Sequence, residues 1–98
     1  ISSIAPKGAI IIDDGAKKAL KLGKSLLAAG IKKVSGKFNK GDHIKVLDRK
    51  NNEFARGLSS FTSDEVKKIM GHHSKEIEKL LGYVSESEVI HKDDMVEI

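Results

Sequence analysis

Ninety-eight residues suffice for one small domain with a modest core, and 39% hydrophobic against 33% charged residues is a globular rather than a disordered profile. There is no cysteine, which excludes disulfides and thiolate metal sites and fits a reducing, cytoplasmic setting. The net charge of +4 hides a division, because residues 1–50 carry twelve Lys or Arg against four Asp or Glu and residues 51–98 carry six against ten. A basic half is either an ordinary solvated face or a footprint for a polyanion.

Residues 1–6, ISSIAP, are expected to be a linker remnant, and a chain that starts at Ile1 is expected to be a piece of a longer one. Pro6 disfavours helix at Ala5. Residues 7–12 predict a strand, and the run Ile10-Ile11-Ile12 suggests cover on both faces. Asp13 or Asp14 is the expected N-cap of a helix over residues 15–22. Ala16, Ala19 and Leu20 form its apolar stripe. Gly23 stands where a helix C-terminal glycine belongs. Residues 24–30 read as a compact loop, with Leu26 and Leu27 plugging the core and Gly30 making a sharp turn. A strand follows at residues 31–36, then a turn to Asp42.

Residues 43–48 alternate, with Ile44 and Val46 on one face. Arg49-Lys50-Asn51-Asn52 has hairpin composition, and residues 53–61 form the return strand. Gly57 within it predicts a bulge or a close backbone approach. Thr62 and Glu65 have capping-box spacing for a helix that turns Val66, Ile69 and Met70 inward and stops at Gly71. Ser74 is the expected cap of the next helix, with Ile77, Leu80 and Leu81 inward and Gly82 as its stop. A polar turn at residues 85–88 leads to short strands at 88–91 and 95–98. About six short strands and three short helices predict a mainly β fold with short helices (α+β), a small mixed barrel rather than a layered α/β sheet.

Catalytic patterns are weak. Gly23-Lys24-Ser25 has the tail of a nucleotide-binding loop, but position 18 is lysine where glycine is needed, and the tripeptide ends a helix instead of opening one. His72 and His73 are adjacent, and His43 and His91 are far off in sequence, so no spaced ligand set for a metal emerges. Asp13-Asp14 and Asp93-Asp94 are explained by capping and turns. The basic pattern is more suggestive. Lys17, Lys21 and Lys24 are spaced i, i+4 and i+7 with Lys18 beside them, and with the Gly23 turn they could track a phosphate backbone. Stacking aromatics are missing nearby, with Phe38 the one aromatic of that half.

The segments GAIIIDDGAKKALKLGKSLLAAGIKKVSGKFNKGDHIKVLD and EFARGLSSFTSDEV resemble a pseudouridine synthase and archaeosine transglycosylase (PUA) domain, over about residues 7–98. Within that family, His73-Ser74-Lys75-Glu76-Ile77 and Val89-Ile90-His91-Lys92-Asp93 are similar to the C-terminal PUA domain of bacterial glutamate 5-kinases. Ala28 stands where that family often has proline, and Phe61 where it often has tyrosine. The resemblance implies a PUA pseudobarrel without catalytic residues, cofactor or metal of its own. It also implies a separate kinase domain of the same full-length chain as partner, using ATP and Mg to phosphorylate the glutamate side-chain carboxylate in the first step of proline synthesis. RNA-modifying relatives bind RNA through the first helix and the glycine loop after it, which correspond here to Lys17, Lys18, Lys21, Gly23, Lys24 and Ser25. RNA is therefore a possible partner, whereas membrane and DNA are not expected.

Overall fold

The computed structural model describes residues 6–82 and 87–97. Residues 1–5 of the expected linker remnant and residues 85 and 86 of the polar turn expected at 85–88 lie outside them. Seven strands and three α-helices follow one another as β1 (Gly8–Ile12), α1 (Asp14–Lys21), β2 (Leu26–Leu27), β3 (Ile31–Gly36), β4 (His43–Leu47), β5 (Glu53–Leu58), α2 (Ser63–Ile69), α3 (Ser74–Leu81), β6 (Glu88–Ile90) and β7 (Met95–Glu97). Single 3-10 turns follow β2 and precede β7. Five strands form one sheet in the order β3-β1-β4-β5-β7, and β2 pairs with β6 in a second. β1 runs parallel to β4, and every other pairing is antiparallel. The mainly β class with short helices stands, with an open ladder of five strands and two as the form its pseudobarrel takes.

Alternation decides the core. Ile10 and Ile12 of β1, Ile44 and Val46 of β4, and Ala55 of β5 point inward and are fully buried. Phe61, Val66, Ile69, Val89 and Ile90 close over them. Burying an aliphatic side chain of this size contributes about 1.5–3 kcal/mol each, so a core built almost without aromatics still suffices. The expectation that β1 is covered on both faces holds on one side only. Ile11 points away from Ile10 and Ile12 and stays half-buried, because no element among the described residues lies over it.

Local signals formed as expected at several ends. Thr62 Oγ1 accepts from the Glu65 N–H at 3.2 Å and Glu65 Oε1 accepts from the Thr62 N–H at 2.9 Å, a complete capping box. Gly82 closes α3 in the left-handed conformation. His73 rather than Ser74 is the N-cap residue of α3, so Ser74 is its first helical residue. Leu80 is exposed because α3 is only two turns long and its single fully inward position is taken by Ile77. β5 ends at Leu58 instead of Phe61. There the buried Ser59 hydroxyl donates to the Phe61 carbonyl at 2.6 Å, a local bond that competes with continued strand pairing.

Gly57 is a close approach rather than a bulge. It pairs in register with Ile44 and Met95, and a Cβ there would lie 2.6 Å from Ile90 Cγ2 and 3.0 Å from the Asp94 carbonyl oxygen. The two sheets meet at this point. Gly57→Ala is therefore expected to destabilise the fold by about 1–3 kcal/mol through overpacking, read as a lower urea midpoint at unchanged slope.

Candidate functional site around the first helix

The first helix is pinned at both ends by backbone chemistry. Asp13 Oδ1 accepts from the Ala16 N–H at 2.7 Å, satisfying a donor the helix cannot use internally. At the other end the Gly23 N–H donates to the Leu20 carbonyl at 3.0 Å and the Lys24 N–H to the Ala19 carbonyl at 3.1 Å, the paired bonds of a Schellman turn. Gly23 has φ of 83°, which a side chain would resist. The helix thus stops at Lys21, and Lys24 leaves its axis instead of extending its face.

Beyond the turn the chain is tied to the far end of the sequence. Ser25 Oγ accepts from the Lys92 N–H at 2.8 Å, and Leu26 pairs with Ile90. The sequence predicts a compact loop over residues 24–30 with Leu26 and Leu27 both plugging the core. Leu26 is buried as expected, but Leu27 is 44% exposed. The two lie on a short strand and so face opposite ways.

Between α1 and this segment lies a groove of about 470 Å³. Ala16 and Ala19 form one wall, and Leu26, Leu27, Ala29 and Gly30 the other. The walls can be this close because Gly30 lacks a Cβ, which would sit 2.4 Å from Ala16 Cβ. Asp13, Lys24, Ser25 and Glu88 supply the polar groups. An apolar slot with few polar groups at its margin suits a flat, partly apolar ligand, and its carboxylates disfavour a phosphate inside it.

The six residues singled out from sequence do not form one row. Lys17 turns away from the groove. Its Nζ lies 2.8 Å from Asp48 Oδ2 and 5.4 Å from the centre of the Phe54 ring, a cation–π distance. Lys18 and Lys21 are exposed on the helix. Lys21 and Gly23 border a separate hollow with Lys92, Met95 and Glu97, whereas Lys24 and Ser25 line the groove. Lys17 is thus a structural cation, and Lys18, Lys21 and Lys24 are the ones presented to solvent. Glu88, Leu27 and Ala29 were missed as groove residues. Their signal is non-local, since Glu88 joins only through the β2–β6 pairing.

Asp48 was likewise read only as a strand end. It is 6% exposed and accepts from Lys17 Nζ and from the N–H groups of Lys50 at 2.9 Å and Asn52 at 3.0 Å. The Lys17 bond, with the Asn52 and Lys50 N–H groups, holds its carboxyl down at about 2. Among the described residues no group of three His, Asp or Glu could hold a metal ion. His72 pairs with Glu76 at 2.8 Å, and His91 Nδ1 accepts from the Asp93 N–H at 3.2 Å. No helix among the described residues is long and apolar enough to cross a membrane.

Comparison with known proteins places this geometry. The family model described as "PUA domain" matches residues 8–81. The glutamate 5-kinase of Pelagibacter ubique is 80% identical over all of this chain, which covers 27% of that protein. The glutamate 5-kinase of Allorhizobium ampelinum is 50% identical over 95% of this chain and 24% of its own length. The chain therefore spans about a quarter of the curated relatives it matches. Among solved structures, a PUA domain from Aeropyrum pernix crystallised with tartrate superposes with a TM-score of 0.64 at 23% identity, covering 87% of this chain and 41% of that one. A chain of an H/ACA ribonucleoprotein bound to a substrate RNA superposes with a TM-score of 0.61 at 23% identity, covering 86% and 22%.

The Asp48 bonds favour the folded state fully above the ordinary carboxylate value of 3.8 and are lost as pH falls through about 2. Asp48→Asn is expected to lower the urea midpoint at neutral pH, and the gap to the parent chain is expected to close progressively over that acid window. A gap independent of pH would contradict the assigned role.

Proposed function

The chain belongs to the PUA domain family, and from that premise we propose that it is the non-catalytic PUA module of a glutamate 5-kinase, acting in regulation or assembly of the longer enzyme. The 80% identity to a glutamate 5-kinase along the whole chain carries this reading. Chemistry resides elsewhere in the parent chain, in a kinase domain that uses ATP and Mg to phosphorylate the glutamate side-chain carboxylate in the cytoplasm. The domain's own titratable groups support that division. Asp13 caps a helix, Asp48 closes a turn, and His72 and His91 pair with neighbouring acids. None of these is paired with a nucleophile.

Comparing the full-length enzyme with a version lacking this domain tests the reading. Removal is expected to leave phosphoryl transfer measurable while shifting proline inhibition, metal dependence or oligomer size. No change in any of the three overturns it.

RNA binding is a second reading, favoured by one observation. Lys24 lines the α1 groove, and Lys18 and Lys21 stand exposed on the same helix, so phosphates could track the lysines while a base edge enters the apolar slot. The fold is shared with a protein solved in an RNA-bound ribonucleoprotein. On this reading, replacing Lys18, Lys21 and Lys24 by alanine is expected to weaken binding of single-stranded RNA and to reduce the log–log salt slope by about 2. Binding unchanged by the triple substitution removes the reading.

A further inference from the structure

The five-stranded sheet is covered by the rest of the described chain on one face only. Strand alternation and cross-strand register assign the other. Ile11 is opposite Lys33 on one side and Leu47 on the other. Lys45 is opposite Arg56, which is opposite Val96, and Leu58 is opposite His43. Residues opposite each other across a ladder share a face, so these side chains stand on the side away from the buried Ile10, Ile44, Val46 and Ala55. Val96 is 69% exposed and Leu58 42% exposed, while Ile11 and Leu47 are half-buried. Glu53, on the same face opposite Leu47, pairs with Arg56 and also feels the charges of Lys45 and His43, so one carboxylate stands against three cations, Lys33, Lys45 and Arg56, and the face stays net positive.

An ordinary solvated sheet face is polar at alternate positions. This one mixes aliphatic side chains with cations, and β1 carries isoleucine on both of its sides. We propose that the open face docks onto the remainder of the parent glutamate 5-kinase chain, against a patch that is apolar and acidic. This rests on the function proposed above and names the surface that serves it. A second copy fits poorly, since a two-fold contact of this face would set Lys33 and Lys45 against the same cations. Nucleic acid would leave the aliphatic groups uncovered and would find no aromatic residue there for stacking. A tethered partner needs little intrinsic affinity, because a short covalent link supplies an effective concentration on the order of millimolar. About three quarters of the matched relatives lies outside this chain.

The absence of cysteine from this domain provides the test. In the full-length enzyme, with cysteines elsewhere replaced, Ser35→Cys and Val96→Cys place one thiol each on the open face, and Lys68→Cys places one on the exposed side of α2 as control. All three parent residues are exposed here. A maleimide reagent is expected to react about tenfold more slowly at positions 35 and 96 than at 68, a difference equivalent to about 1.4 kcal/mol of opening. Adding K33E and K45E is expected to restore the rates to the control. Equal rates at all three positions overturn the docking surface. Protection that survives the charge reversal, or vanishes on dilution, overturns an acidic partner in the same chain. If removal of the domain changes the enzyme while the open-face thiols react freely, the functional reading stands and only this surface fails.

Discussion

The central constraint on this fold is the position of the first strand. β1 is flanked on both sides, antiparallel to β3 and parallel to β4. A first strand of the domain that lies between two others in a sheet obliges later segments to return on each side of it. The parallel partner cannot follow through a tight hairpin, so a crossover is needed. That crossover consists of α1, the Schellman turn, β2 and the returning β3. The groove is the space left where the crossover folds against its own helix. Site and scaffold are therefore consequences of one topological requirement.

Electrostatics divides the basic half of the sequence by role. Lys17 is drawn into an ion pair with Asp48 and lies over Phe54, joining α1 to the β4–β5 turn. Such a pair, partly buried and supplied with backbone donors, is worth more than the exposed Arg49–Asp14 contact at 3.3 Å, where solvent screens the charges. Lys17 is thus withdrawn from the lysines a partner could meet, and those that remain fall on separate surfaces. Lys18, Lys21 and Lys24 lie by α1, and Lys33 and Lys45 on the sheet.

What could be read from the sequence was what depended on near neighbours. Asp13, Gly23, the Thr62–Glu65 box and Gly82 each act within five or six residues, and each formed as its spacing indicated. The six candidate ligand residues were found as types, but their placement was not. Lys17 goes to Asp48, 31 residues away, and periodicity along one helix carries no trace of that partner. β2 was invisible for the same reason. Two residues have no pattern of their own, and only their pairing with β6 makes them a strand. Leu27 was misplaced because one apolar residue beside another reads as core until the pleat assigns them to opposite faces.

The bond from the Lys92 amide to the Ser25 hydroxyl spans 67 positions in sequence. Closing so long a loop carries an entropic cost that must be met before the contacts within it are gained, and pairings of high sequence separation are late events in folding. As the chain leaves the ribosome, α1 and its caps can assemble while the groove still has only one wall. The second wall waits for β6, more than sixty residues later. A ligand that required both walls would therefore bind the finished domain and ignore its nascent form, making occupancy of the groove a readout of completed folding.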